Sequence, residues 1–414
     1  MSDSRTNAAA AADPDAARTV ASAVAAAPFV RLFGHADGDS LAACGLLAVA
    51  LGDREIPFRV HISADPAGDA VDAVEREDGD AADSQTIVVS RGQRGPADLA
   101  VPARADRQPA SVAAAAISRE LGVDPDPILG LAGVIAAGET PGDAGSDDLL
   151  AAAESAALVE RRPGVAVPTA DLATDLAHST QLDAPFSGDD DAARDLLADL
   201  GVPTDSDAEI DAETRTEIAS ATAVATATAD PAASQAAASV EAALRPYATP
   251  TAPFATLGGY ADVLSALARE APGVAVSMAF GAPGAVSEAL ETWRDHAAAA
   301  HAALDSPTTG RYDGVSVLRV ETDQPSVLPT VARLARDFRS PEPVALVVNE
   351  PIDGRRRAAL AATEPRGLDD AMATVVREFA GDAGGTPTAA TLAVDDSVAD
   401  GELIAAIREA LADD

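Results

Sequence analysis

Between residues 28 and 51 the chain passes from a short apolar run, Pro28-Phe29-Val30-Arg31-Leu32-Phe33, through the cluster Gly34-His35-Ala36-Asp37-Gly38-Asp39-Ser40 into an apolar stretch from Leu41 to Leu51. The first run has the length of a buried strand, and the last is too long for one and reads as a buried helix. A strand, a polar turn and a helix in that order belong to an open α/β sheet. The turn then lies at the carboxyl end of a strand, where such sheets keep their chemistry, and where a helix amino terminus offers backbone N–H groups to phosphate. His35, Asp37 and Asp39 place one imidazole and two carboxylates at alternate positions of that turn, a donor set for a divalent cation. The same side chains also suit a solvated acidic turn, or carboxylates hydrogen-bonded to a helix amino terminus.

The alternation continues along the chain. Asp15 to Ala27 reads as a helix ended by Pro28, Phe58 to Ser63 and Thr86 to Val89 as strands, and Ala67 to Glu77 as a helix-compatible stretch between them. Ala110 to Leu121 and Ile128 to Ala137 have small-residue helical spacing, and residues 146–250 look predominantly helical. Val274 to Phe280 reads as a strand after a short helix from Ala261 to Arg269. Gly284 to Leu304 is a long helix carrying the only tryptophan, Trp293, and Ser306 to Gly310 closes it as a loop. Strands at Val315–Val320, Val344–Val348 and Thr391–Val394 then alternate with helices at Val327–Phe338 and Leu368–Phe379 and a terminal helix to Leu411. Strands alternating with helices argue for an α/β protein with a parallel sheet.

At 414 residues the chain has room for two or three domains and a sizeable core. Its formal charge of −38 is spread over every segment, and its 29 basic residues are all arginine. That is the surface expected in a salt-saturated cytoplasm. In molar salt the Debye length is about 3 Å, so such a charge does not exclude nucleic acid as a partner. The single cysteine, Cys44, lies within the apolar helix and forms no disulfide within the chain, in keeping with a cytoplasmic location. Residues 1–27 are Ala-rich but interrupted by charges, which fits neither a signal peptide nor a membrane span.

The His35, Asp37 and Asp39 cluster resembles the first motif of the DHH phosphoesterase superfamily, with Ser40 where the family usually has Gly. Leu264-Ser265-Ala266-Leu267-Ala268-Arg269 with Gly273 looks like the family's segment before its bridging helix. Gly384-Gly385-Thr386-Pro387-Thr388-Ala389-Ala390 looks like its Gly-Gly-His-Pro-x-Ala-Ala loop, which grips nucleic acid. The likeness is to archaeal RecJ-like proteins, of a haloarchaeal kind. It implies an amino-terminal helical extension over 1–27, a parallel-sheet DHH domain over 28–145 and a helical insertion over 146–250. A return to the core over 251–283, a bridging helix over 284–305 and a smaller carboxy-terminal α/β domain over 306–414 complete the layout.

An active member of that superfamily binds two ions, commonly Mn²⁺, through four motifs. Here the second motif has Ser90 in place of Asp. The third is best matched by Ala105-Asp106-Arg107-Gln108-Pro109, so Asp106 stays while Arg107 and Gln108 replace two imidazoles, and arginine offers only donors. Gly138-Glu139 or Gly142-Asp143 stands for the fourth, and Thr386 replaces the histidine of the nucleic-acid loop. His35, Asp37, Asp39, Asp106 and Asp143 are therefore a partial or vestigial metal set. Arg355, Arg356 and Arg357, the only basic triplet, are either a loop cluster balancing acidic neighbours or phosphate contacts beside Gly384, Gly385 and Thr386. His61, His178, His296 and His301 have no partner at ligand spacing. The resemblance implies a catalytically impaired scaffold that binds single-stranded DNA or RNA in replication or repair, beside GINS and MCM proteins, without membrane or cofactor. The alternative is an active exonuclease or oligonucleotide phosphodiesterase using Mn²⁺ or Mg²⁺, with Asp83, Asp106, Glu139 and Asp143 as substitute ligands.

Overall fold

The computed structural model describes residues 14–64, 69, 84–89, 99–100, 108–202, 210–229, 236–244 and 246–412, and the chain divides into two compact units. Of the helix-compatible stretch 67–77 only Asp69 lies within the described residues. The first unit comprises residues 1–160 and 273–283. Its central strand β1 (Val30–His35) pairs with β2 (Phe58–Ser63) on one side and β3 (Gln85–Val89) on the other, with β4 (Leu99–Ala100) beyond β3, all parallel. Because the winding reverses at β1, the carboxyl ends of β1 and β3 form a topological switch point. His35 ends β1 at that point.

Around this sheet lie α1 (Pro14–Ala26), α2 (Gly38–Asp53), α3 (Ala110–Glu120), α4 (Pro127–Ala136) and α5 (Asp147–Ser155). Apolar on every side from Leu41 to Leu51, α2 has no face to offer water and is buried along most of its length. Small residues let it close on its neighbours. A Cβ at Gly34 would lie 2.8 Å from Cys44 Sγ, and one at Gly133 would lie 2.6 Å from Ser111 Oγ and 2.9 Å from Ala42 Cβ.

The second unit comprises residues 161–272 and 284–414. Short strands β5 (Glu160–Arg161) and β6 (Tyr247–Ala248) pair, the helices α6 (Leu172–His178), α7 (Asp190–Asp199), α8 (Ala212–Ala227) and α9 (Ala236–Ala243) lie in the stretch 146–250 expected to be helical, and α10 (Leu257–Glu270) follows it. The start of α10 lies four residues earlier than the spacing suggests because Thr256 caps it, accepting from Gly259 N at 3.0 Å and donating to Val167 O at 2.7 Å. The chain then returns to the first unit. There Val274 to Phe280 is not the expected strand but mostly the helix α11 (Pro272–Ala279). The alternating valines suggest a strand, but Pro272 at the first helical position and Gly281 at φ 66° just past the end are helix boundary residues, and they prevail.

Long helix α12 (Ala285–Asp305) leads into a six-stranded sheet of order β11-β12-β10-β9-β8-β7, followed in sequence by β7 (Thr308–Tyr312), β8 (Val315–Val320), α13 (Leu328–Leu334) with a π turn to Arg339, β9 (Val344–Asn349), β10 (Arg355–Ala362), α14 (Leu368–Phe379), β11 (Asp382–Thr386), β12 (Ala389–Asp395) and α15 (Asp400–Ala412). Only β8 and β9 are parallel. Three of these strands correct the sequence reading. Thr308 to Gly310, the Arg355–Arg357 triplet and Gly384 to Thr386 all lie in strands rather than loops. β10 is alanine-rich and has low intrinsic strand preference, but pairing on both sides and burial on both faces decide its state. On one sheet face Leu318, Val347 and Ala359 share a core with α13 and with Leu176 of α6, Leu197 of α7 and Ile218 of α8; on the other, Val317, Leu346 and Leu360 meet Met372 of α14 and Ile404 of α15.

Buried polar groups in the second unit find partners across helices. His296 Nδ1 lies 2.7 Å from Glu270 Oε1 and its Nε2 lies 2.8 Å from Thr330 Oγ1. Burial holds its pKa below the usual histidine value, so a neutral ring donates to Glu270 and accepts from Thr330. His301 Nε2 is 3.0 Å from Ser179 O. Both are core histidines with structural partners.

Close approach at α10 gives a test of this packing. A Cβ at Gly259 would overlap the Val167 carbonyl and the Pro168 nitrogen, whereas one at Gly273 in α11 meets nothing within 4 Å. Gly259→Ala should lower the stability read from the urea midpoint by about 2–3 kcal/mol, and Gly273→Ala should change it by less than about 1 kcal/mol.

Candidate functional site

The turn after β1 is built from its own carboxylates. Asp37 adopts an extended backbone at φ −135° and caps α2, its Oδ1 accepting from Ser40 N at 2.7 Å. Its Oδ2 lies 2.8 Å from His35 Nδ1. Both side chains are partly exposed, at 14% for His35 and 24% for Asp37. Asp39, in the first turn of α2, is 1% exposed. Its Oδ2 accepts from Ala110 N at 2.7 Å and its Oδ1 from Ser111 N at 2.9 Å.

Those two donors are the amino terminus of α3, whose own cap position is Pro109 and supplies no side-chain acceptor. A helix that starts without an acceptor leaves its first N–H groups unsatisfied unless a distant group reaches them. Asp39 is that group, and the helix dipole favours a negative charge there. Burial pushes the Asp39 pKa up to about 6 and the neighbouring Asp37 charge adds to the rise, while the bonds to Ser111 and Ala110 oppose it. The residue is ionised at neutral pH at the expense of desolvation. Proline at a helix start with no Ser, Thr, Asp or Asn before it was the sequence signal for a remote capping carboxylate.

The remaining candidate ligands are placed differently. Asp143 sits in the turn before α5, its N donating to Thr140 O at 2.9 Å and its carbonyl accepting from Ser146 Oγ at 2.6 Å. Asp83, Ser90, Asp106 and Arg107 lie outside the described residues. Among the described residues no three His, Cys, Asp or Glu side chains are placed to share a cation. A two-ion centre needs carboxylate oxygens with lone pairs turned toward the ions. Both Asp39 oxygens accept backbone N–H groups, so this carboxylate serves as a helix cap.

The carboxy-terminal candidates lie on β10 and on the β11–β12 hairpin. The pairing registers put Arg355, Arg357, Gly384, Thr386 and Thr391 on one sheet face and Arg356 on the other. Arg355 Nη2 donates to Asp382 Oδ2 at 2.5 Å and to Ala393 O at 3.0 Å, and Arg357 Nη1 to Ile352 O at 3.2 Å. Arg356 Nε donates to Val398 O at 3.0 Å. At Gly385 a Cβ would overlap Ala389 O, so the hairpin requires glycine there. Thr386 Oγ1 accepts from Ala389 N at 3.2 Å. Two of the three arginines therefore share a face with the glycine loop. Among the described residues no helix is long and apolar enough to cross a membrane.

A family described as the C-terminal domain of the uncharacterized protein rrnAC1427 matches residues 307–409. Over 387 residues the chain is 46% identical to the protein rrnAC1427 of Haloarcula marismortui, covering 93% of this chain and 94% of the relative. Among solved structures, CDC45 from Entamoeba histolytica superposes with a TM-score of 0.59 at 7% identity, covering 96% of this chain and 99% of that one. RecJ from Thermus thermophilus, in complex with Mn²⁺, superposes with a TM-score of 0.51 at 15% identity, covering 97% of this chain and 55% of that one. These likenesses establish a fold of the DHH/RecJ type.

The buried Asp39 carboxylate makes stability depend on pH. Its folded pKa of about 6 lies above its value in an unfolded chain, so its contribution is full below about pH 4 and is lost as pH rises through 6, a change of about 3 kcal/mol. Asp39→Asn removes this titration. From pH 7 to pH 5 the wild type should therefore gain stability relative to Asp39→Asn in paired urea titrations. Asp39→Ala, which leaves α3 uncapped, should cost about 1–2 kcal/mol at pH 7.

Proposed function

Because the chain belongs to the family of the Haloarcula marismortui protein rrnAC1427 and has the DHH/RecJ-type fold, we propose that it is a non-hydrolytic protein that binds single-stranded nucleic acid and serves as a scaffold in DNA replication or repair. The observation that carries this reading is Asp39, both of whose oxygens are taken up by the first N–H groups of α3. Turning that carboxylate toward a cation would uncap a buried helix and break two charge-assisted hydrogen bonds, each worth about 1.5–3 kcal/mol. His35 and Asp37 are likewise joined to each other and to the start of α2.

This reading also accounts for a first motif that stays nearly complete. Helix capping preserves Asp37 and Asp39 for stability whether or not an ion is held. Binding then rests on the second unit, where the β11–β12 hairpin brings the half-buried Thr386 hydroxyl, beside the buried Gly384 and Gly385, onto the same face as Arg355 and Arg357. The resemblance to RecJ-like proteins makes GINS and MCM proteins the partners to test. No cofactor is required for binding of this kind.

The test is degradation of end-labelled single-stranded DNA and RNA in molar KCl with Mn²⁺ or Mg²⁺, beside an Asp37→Ala variant. The expected result is strand binding without shortening of the label in either protein. Metal-dependent cleavage by the wild type that disappears in Asp37→Ala would overturn the proposal in favour of an exonuclease.

A further inference from the structure

The turn of the β11–β12 hairpin is held by the segment that follows β10. Ala362 N donates to Thr388 O at 2.8 Å, Arg366 N to Pro387 O at 2.9 Å and Leu368 N to the same carbonyl at 3.4 Å. These bonds fix Arg366 beside the hairpin turn. Its side chain is exposed, and its guanidinium forms no hydrogen bond, ion pair or ring contact among the described residues.

That isolation separates it from its neighbours. Every other arginine between residues 306 and 412 is engaged with a carboxylate, a carbonyl, a hydroxyl or, for Arg408, the ring of Tyr312. Arg355, half-buried like the rest of the triplet, already holds Asp382 and the Ala393 carbonyl. In so acidic a chain, an uncommitted guanidinium beside a glycine hairpin is the group best matched to a phosphodiester. Its planar fork fits two phosphate oxygens. Thr386 Oγ1 and Thr388 Oγ1 lie 3.4 Å apart in the turn it supports, two further hydroxyl donors at short range.

We infer that Arg366, together with the Thr386 and Thr388 hydroxyls, is the phosphate contact of the single-strand site. This rests on the nucleic-acid reading above. Exposed Glu364 and Asp370 stand near Arg366 in sequence, so long-range attraction is absent and the contact acts at hydrogen-bond range. Concentrated salt, with its Debye length of about 3 Å, hides those carboxylates from an approaching strand.

The experiment is fluorescence anisotropy of labelled oligothymidylate over a series of KCl concentrations up to molar. Arg366→Ala should bind about tenfold more weakly, with the dependence of log affinity on log salt reduced by about 0.7 for one lost phosphate contact. Arg366→Lys should fall between. Arg377→Ala is the charge-matched control. It removes one exposed cation that bonds only within α14, about 13 Å along that helix from its start, and it should bind as the wild type does. If the wild type binds and Arg366→Ala matches Arg377→Ala in affinity and salt slope, the inference is overturned and the nucleic-acid reading stands. If the wild type binds no single strand at any salt concentration, both are overturned.

Discussion

A carboxylate sealed from water at the start of one helix fixes where another begins. Asp39 belongs to the first turn of α2, yet its oxygens complete the amino terminus of α3, more than seventy residues later in the chain. An isolated carboxylate in such a place would be neutralised or expelled. Two aligned N–H donors and the helix dipole offset part of the desolvation and keep it ionised near neutral pH. Small residues let α2 close on β1 and α4, and Asp39 joins its first turn to the start of α3. Asp37 does the local equivalent by capping α2 and holding His35.

Legibility in the sequence followed the strength of local signals. Strand β1 and helix α2 could be read because one is short and apolar and the other is apolar without interruption over three turns. Strand β8 and helix α14 were equally plain from β-branched content and spacing. Strand β10 was hidden because alanine carries no preference for it; neighbours β9 and β12 impose the state. Helix α11 was misread because Val274 and Val276 alternate as in a strand, while Pro272 and Gly281 mark helix ends. The candidate site divided in the same way. His35, Asp37 and Asp39 were visible as a cluster, but the partner of Asp39 is a backbone amide from a remote segment, which no spacing rule reaches. That Arg355 and Arg357 share a face with Gly384 while Arg356 does not follows from register, and register required the strands.

Within the second unit, polar groups work as staples between helices. Arg339 places two nitrogens on the Asp183 carboxylate at 2.5 and 2.8 Å and a third on the Leu304 carbonyl, tying the loop after α6 and the end of α12 to the π turn. Arg333 Nη2 donates to both Thr180 O and Thr180 Oγ1 at 2.9 Å, while Thr180 N donates to Asp262 at 2.9 Å. A rigid fork with several donors can satisfy carboxylate and carbonyl together, which a point-charge ammonium does less well. The use of arginine throughout is consistent with this role.

The same habit bears on how such a chain could hold a polyanion. With a net charge of −38, attraction cannot come from the overall field, and most arginines of the carboxy-terminal sheet already answer a carboxylate or a carbonyl. Affinity must then come from local geometry: the half-buried hydroxyls of Thr386 and Thr388 in the hairpin turn, and an exposed guanidinium without an internal partner. A binding site of this design is insensitive to the protein's total charge once salt has screened it. It is sensitive instead to the identity of individual side chains within hydrogen-bond reach of a phosphate. An acidic surface and a site for a polyanion are therefore compatible in one fold, because the two properties reside in different length scales of the same electrostatics.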